Sequence, residues 1–227
     1  MSARIESLPG TWSHVEVEGA VRDQLFVVDD TILYRVDART VAWTTLTNRW
    51  HPQRMAGIGT TLYVGEDSGI FYRAAPDSGA WIPLPGWWRD VRGATAIRDR
   101  LCIASERSLF LYEPMSNAVD RLPGAWAPKH LVGMGRFVFV FEENETLYRI
   151  DTADGSHVAL PGTWGRTTAA CAARDALFAV DGGTLYQIDP RTGEAVEVAP
   201  SRARMLVAVG NSLCAFEDGE LVRIDPQ

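Results

Sequence analysis

The chain of 227 residues carries 29 acidic and 22 basic side chains, a formal net charge of −7, with 46% hydrophobic and 22% charged residues. These proportions suit a folded globular chain and exclude a disordered or collagen-like one, while the negative balance opposes nucleic acid as a partner. No apolar run approaches the ~18 residues that span a bilayer, and the segment from Met1 to Ser7 lacks the apolar core of a secretory signal, so the expected location is the cytoplasm, with any release by a non-classical route.

In chain order, the first predicted element is a strand over Arg4 to Leu8, which matches Ala118 to Leu122 and leads into Pro9, Gly10, Thr11 and Trp12. That tryptophan opens a series. Trp12, Trp50, Trp88, Trp126 and Trp164 stand 38 residues apart, and Leu-Pro-Gly precedes four of them, at Leu8, Leu84, Leu122 and Leu160. The sixth position of the series is Arg202, and six such periods account for the chain to within one residue. Fixed-period self-similarity of this length signals a repeat architecture. Each period reads as short β-branched and aromatic runs broken by Gly, Asp, Asn and Pro, with no helix-length amphipathic stretch. The fourth period is the clearest, with strands predicted at Lys129 to Met134, Arg136 to Phe141, Thr146 to Asp151 and Ser156 to Leu160.

Four-stranded units repeated around an axis make a β-propeller, and residues 1–227 are predicted to form one all-β, six-bladed ring with four antiparallel strands per blade. The first strand of each unit is rich in small residues, as in Ala94-Thr95-Ala96, Ala169 to Ala173 and Val207-Ala208-Val209, which suits a crowded central channel. Trp43 and Trp81 fall on the roomier outer strands. The last period supplies three strands, ending at Leu221 to Asp225, so residues 1–8 are expected to complete the last blade and remove its open edge.

The Pro-Gly-x-Trp copies should form a ring of loops on one face. Each indole has two roles open to it: a wedge between blades, favoured by the general burial of Trp, or a platform on which a sugar stacks. Trp87 has no counterpart in the other periods and is the aromatic expected to be exposed. The Leu-Tyr-Arg motif at Leu33, Phe71 and Leu147 should put Leu and Arg on one blade face and Tyr on the other, with Arg pairing to an acid such as Asp37, Asp151 or Asp189. His14, His51, His130 and His157 fall in different registers, and Glu16, Glu18 and Asp90 form no repeated ring of channel carboxylates, so neither catalysis nor a resident metal or cofactor is expected. Cys102, Cys171 and Cys214 lack metal-ligand spacing and read as reduced core thiols.

With Gly59 to Val64 and Ile70-Phe71-Tyr72 following the Pro-Gly-x-Trp loop, the period resembles the tectonin and tachylectin-type lectin propellers. The sequence departs from them where Trp and Asn are usual around the second strand and Phe26-Val27, Leu101-Cys102 and Leu213-Cys214 stand here, while Leu-Tyr-Arg-Ile-Asp and Pro-Arg-Thr-Gly also look like quinoprotein-like bacterial propellers. The lectin resemblance implies a carbohydrate-binding protein for cell-surface or bacterial polysaccharide glycans, with weak sites at Trp12, Trp50, Trp87, Trp88, Trp126 and Trp164 acting together. The alternative is a protein-binding scaffold using one propeller face through Trp87, Arg89, His51 and Arg54.

Overall fold

The computed structural model describes residues 4–8, 12, 14–38, 40, 42–48 and 50–226, with backbone alone at 8, 16–18, 47 and 48. Pro9, Gly10 and Thr11 of the first motif copy lie outside the described residues. Among those described, the chain forms six four-stranded antiparallel sheets and no helix. The innermost strands are Val15–Val21, Pro52–Ile58, Val91–Ile97, Pro128–Met134, Thr167–Ala173 and Met205–Val209, and they define blades one to six in that order. The outermost strands are Trp43–Asn48, Trp81–Pro83, Ala118–Leu122, His157–Leu160, Ala195–Pro200 and, for blade six, Arg4–Leu8. Each inner strand neighbours the next and the sixth returns to the first, which closes the ring of a six-bladed β-propeller. The four strands of blade four begin and end within one residue of their sequence-predicted limits.

Blade six is completed as expected. Arg4–Leu8 pairs antiparallel with Glu220–Asp225, from Arg4 opposite Asp225 to Leu8 opposite Leu221. Arg223 donates to Glu6 at 2.7 Å, and the Ser7 hydroxyl donates to Glu220 at 2.7 Å. The small residues of the inner strands answer to crowding between blades: a Cβ on Gly57 would overlap the Ala20 carbonyl oxygen, and one on Gly133 would overlap that of Ala96.

The core is divided into six apolar clusters, each at the seam of two blades. Leu25 and Val27 of blade one meet Phe216 and Leu221 of blade six around Trp12, and Phe26 and Leu33 meet Leu62 and Val64 around Trp50. Trp126 fills the seam of blades three and four, and Trp164 that of four and five. Trp88 packs at the edge of the seam of two and three. Between blades five and six the corresponding residues are Arg202 and the fully buried Ala203, and no tryptophan enters.

Cys102, Cys171 and Cys214 are buried, reduced thiols in three different seams. Burial pushes the Cys102 thiol up to about 12, because a thiolate there would be stripped of water. Iodoacetamide at about pH 8 is therefore expected to leave the native chain without full modification at any cysteine over an hour, while urea-unfolded chain takes three labels. Rapid native labelling of Cys102 by mass spectrometry would contradict the packing of blade three.

Candidate binding surface

The Pro-Gly-x-Trp loops carry the chain from each outer strand to the next inner strand, on one face of the ring. Gly124 and Gly162 have φ of +104° and +102°, and a Cβ on them would lie 2.6 Å and 2.8 Å from the indole nitrogens of Trp126 and Trp164. Glycine allows this turn without strain. The Trp126 indole N–H then donates to the Pro123 carbonyl at 2.9 Å. Each backbone N–H is fixed to the turn between the second and third strands of the preceding blade: Trp50 to Thr31, Trp88 to Gly69, Trp126 to Arg107 and Trp164 to Glu145, at 2.8–3.0 Å.

These ties aim the indoles inward. Trp12, Trp50, Trp126 and Trp164 are between 3% and 6% exposed. They meet Tyr34, Tyr72, Tyr148 and Tyr186 edge-on at 5.5–5.7 Å. The four act as wedges, so no ring of five equivalent open platforms is formed. Trp88 is half-buried beside Phe110 and Tyr112. Trp87 is 62% exposed, the one large apolar side chain so exposed on the loop face among the described residues. Its indole is nonetheless fixed, with the N–H donating to the Ser68 carbonyl at 2.6 Å and the Arg89 guanidinium 4.5 Å over the ring. His51 and Arg89 are exposed, whereas Arg54 is half-buried at the channel. An edge of Trp126 reaches a separate hollow of about 380 Å³ lined with Arg107, Glu143, Asn144, Tyr148 and His157.

A set of acidic residues outside the repeat motifs ends the second strands. Asp29, Glu66, Glu142, Asp181 and Glu217 accept from the backbone N–H of His14, His51, Ala127, Arg166 and Arg202, always fifteen residues earlier. In blade three Ser105 takes that place and donates to the Arg89 carbonyl. These bonds pin the loops, and the constant spacing was the signal that could have revealed them.

The Leu-Tyr-Arg motif divides between faces as alternation requires, with Leu33 packed toward blade two and Tyr34 toward Trp12. Its arginines, however, do not pair with the expected acids. Arg35 crosses to Asp77 of blade two at 3.0 Å, and Arg149 donates to the Pro190 and Arg191 carbonyls of blade five. The expected partners are taken by local turns: Asp37 accepts from the Thr40 amide, Asp151 from Ala153, and Asp189 from Thr192 and Arg191. The amides of Thr192 and Arg191 hold the Asp189 carboxyl below the usual carboxylate range. These carboxylates are shared between the Asx turns and arginines from outside the motif, Arg136 with Asp151 at 2.8 Å and Arg191 with Asp189 at 3.8 Å.

On the same face the central channel opens into a cavity of about 330 Å³ lined by Gln53, Arg54, Arg92, Lys129, His130 and Arg204. Deeper in, the wall is small and apolar, with Ala20, Gly57, Ala96, Gly133, Ala172 and Ala208. Asp90 is not on the inner strand but just before it, paired with Arg92 at 3.2 Å. The described residues contain no cluster of three His, Cys, Asp or Glu side chains placed for a metal. No helix is long and apolar enough to cross a membrane.

A ring of blades with its loops pinned on one face defines the class: a β-propeller. No family model matches the sequence, and no curated protein is similar to it in sequence. Solved structures share the fold. The RRP9 WD40 repeats superpose with a TM-score of 0.71 at 13% identity, over 98% of this chain and 97% of that one. A Bacteroides thetaiotaomicron protein of unknown function gives 0.74 at 12% identity, over 99% of this chain and 72% of that one. An auxiliary nutrient binding protein from the same organism gives 0.70 at 10% identity, over 94% of this chain and 69% of that one.

Proposed function

We propose that the protein is a non-catalytic interaction scaffold of a reducing compartment that engages a protein partner through its loop face, with Trp87 as anchor. The observation that carries this reading is an exposed indole fixed on both sides, by Ser68 and by Arg89. A preorganised Trp loses little freedom on docking, and Trp and Arg are the residue types that dominate interface energetics. The surrounding residues differ from blade to blade, which suits one asymmetric partner better than several identical ligands.

The test is to place a photo-crosslinking amino acid at position 87, identify the captured protein, and titrate it in purified form. Trp87→Ala is expected to weaken that purified complex by about thirtyfold or more while the melting temperature stays within about 2 °C of the parent. Equal binding by parent and variant would sink the reading.

A carbohydrate-binding reading rests on a different observation, the polar hollow at the Trp126 edge, where Arg107, Asn144 and His157 offer hydrogen bonds beside an aromatic wall. A glycan array separates the two. Binding by the parent that is lost in His157→Ala and kept in Trp87→Ala favours the lectin.

A further inference from the structure

The inner strands of blades one to five share an irregularity. Each has a register shift near its start, between Val15 and Val17, Pro52 and Arg54, Val91 and Gly93, Pro128 and His130, and Thr167 and Ala169. The residues displaced are Glu16, Gln53, Arg92, Lys129 and Thr168, and Arg204 occupies the corresponding place before Met205 in blade six. A bulge re-aims a side chain out of the regular alternation and is a recurrent device beside functional sites. In blades two, three and four it turns Gln53, Arg92 and Lys129 toward the channel mouth, where Arg204 of blade six joins them in lining the cavity.

The occupants of that position are uneven in charge. Arg92, Lys129 and Arg204 are cations, Arg54 adds a fourth from the next position along its strand, and His130 stands beside Lys129. Among the described residues no acidic side chain lines the cavity, although the chain as a whole is at −7. Arg92 has Asp90 and Glu143 at its outer side, at 3.2 Å and 2.6 Å. Arg54, Lys129 and Arg204 have no carboxylate partner among the described residues. Arg54 donates to the carbonyls of Arg92 and Gln53, and Lys129 to that of Gly165 at 2.8 Å, so each keeps further N–H groups for a ligand. Burial lowers the pKa of the Arg54 guanidinium, the direction expected of a cation held from water without a counter-charge.

From this geometry we propose that the channel mouth is a binding site for a compact oligoanion bearing two or more phosphate or carboxylate groups. Guanidinium forks and an ammonium match such oxygens through charge-assisted hydrogen bonds, and converging cations repel one another until an anion enters. The size follows from the surroundings. A cavity of about 330 Å³ holds a molecule of a few oxyanion groups, while Asp90 and Glu143 at the rim and the net negative charge oppose a long polyanion.

Isothermal titration with pyrophosphate and, separately, citrate tests the site on the full chain. At low salt at least one is expected to bind with Kd below about 100 µM and raise the melting temperature, with affinity falling as salt shortens the Debye length. Arg204→Ala and Lys129→Met should each weaken binding about tenfold, whereas a control at the exposed Met115, Met115→Ala, should bind as the parent does. Tighter binding of pyrophosphate assigns a phosphate ligand, and tighter binding of citrate a carboxylate one. If neither anion binds the parent at about 5 mM, or if both channel variants are folded by their melting curves and bind as the parent does, the proposal is overturned.

Discussion

Removal of residues 1–8 is expected to lower the melting midpoint by about 10–20 °C and to convert a monodisperse protein into an aggregating one. The deleted segment supplies a five-residue antiparallel ladder to Glu220–Asp225, together with the Glu6 to Arg223 and Ser7 to Glu220 bonds. At about 1 kcal/mol net per backbone hydrogen bond the loss is about 5 kcal/mol, and a domain of this size shifts by about 2–4 °C per kcal/mol. The aggregation has a separate cause: Glu220–Asp225 becomes an unprotected edge with Val222 and Ile224 on it, a template for pairing with another chain. Scanning calorimetry beside size-exclusion chromatography reads both effects. A truncated protein that melts with the parent and elutes as a single species would mean that blade six is complete without its N-terminal strand.

The second large effect is expected for Trp126→Ala, which should destabilise the fold by about 3–5 kcal/mol. Trp126 is wedged among Leu111, Leu122, Val138 and Ile150, and Tyr148 and His157 meet its ring at 5.5 Å and 5.1 Å, so truncation leaves a cavity that two β-sheets cannot easily collapse. Urea denaturation should show the midpoint falling with the slope unchanged, because the same surface is exposed on unfolding. Trp126→Phe, which restores most of the ring, should recover part of the loss. A Trp126→Ala variant as stable as the parent would return the indole to the surface role. The contrast with Trp87→Ala is informative because both residues are tryptophans of the same loop type, one buried and one exposed.

The architecture was legible because it is written in period. The 38-residue spacing of Trp12 to Trp164, the match of Arg4 to Leu8 with Ala118 to Leu122, and the small residues of the inner strands each have a direct geometric meaning, and the structure returns all three. The candidate site was legible only in part. Trp87 stood out as a departure from the repeat and is exposed, as such a departure suggests. The fate of the other tryptophans was not, because wedge and platform use the same residue at the same spacing and differ only in the turn that Gly124 and Gly162 allow. Nor were the partners of Arg35 and Arg149, which lie a blade away at Asp77 and Pro190, whereas sequence proximity pointed to acids already committed to Asx turns. The basic channel mouth was hidden for a similar reason. Arg54, Arg92, Lys129 and Arg204 are scattered through the sequence without a motif, and bulges, which sequence alternation does not announce, bring Arg92 and Lys129 to the place where Arg54 and Arg204 stand.

The seam between blades five and six, which has Arg202 and Ala203 in place of an indole wedge, gives the closed ring a defined point of opening. A circular array held by equal seams would loosen anywhere, and its breathing would be spread over the whole circumference. Here four seams hold a buried indole and a fifth has Trp88 at its edge, so the seam between blades five and six is expected to part first, which amide hydrogen exchange would read. Cys171 lies in that seam, while Cys102 and Cys214 lie in wedged ones. A parting there would uncover Cys171, a thiol that the closed ring keeps from solvent.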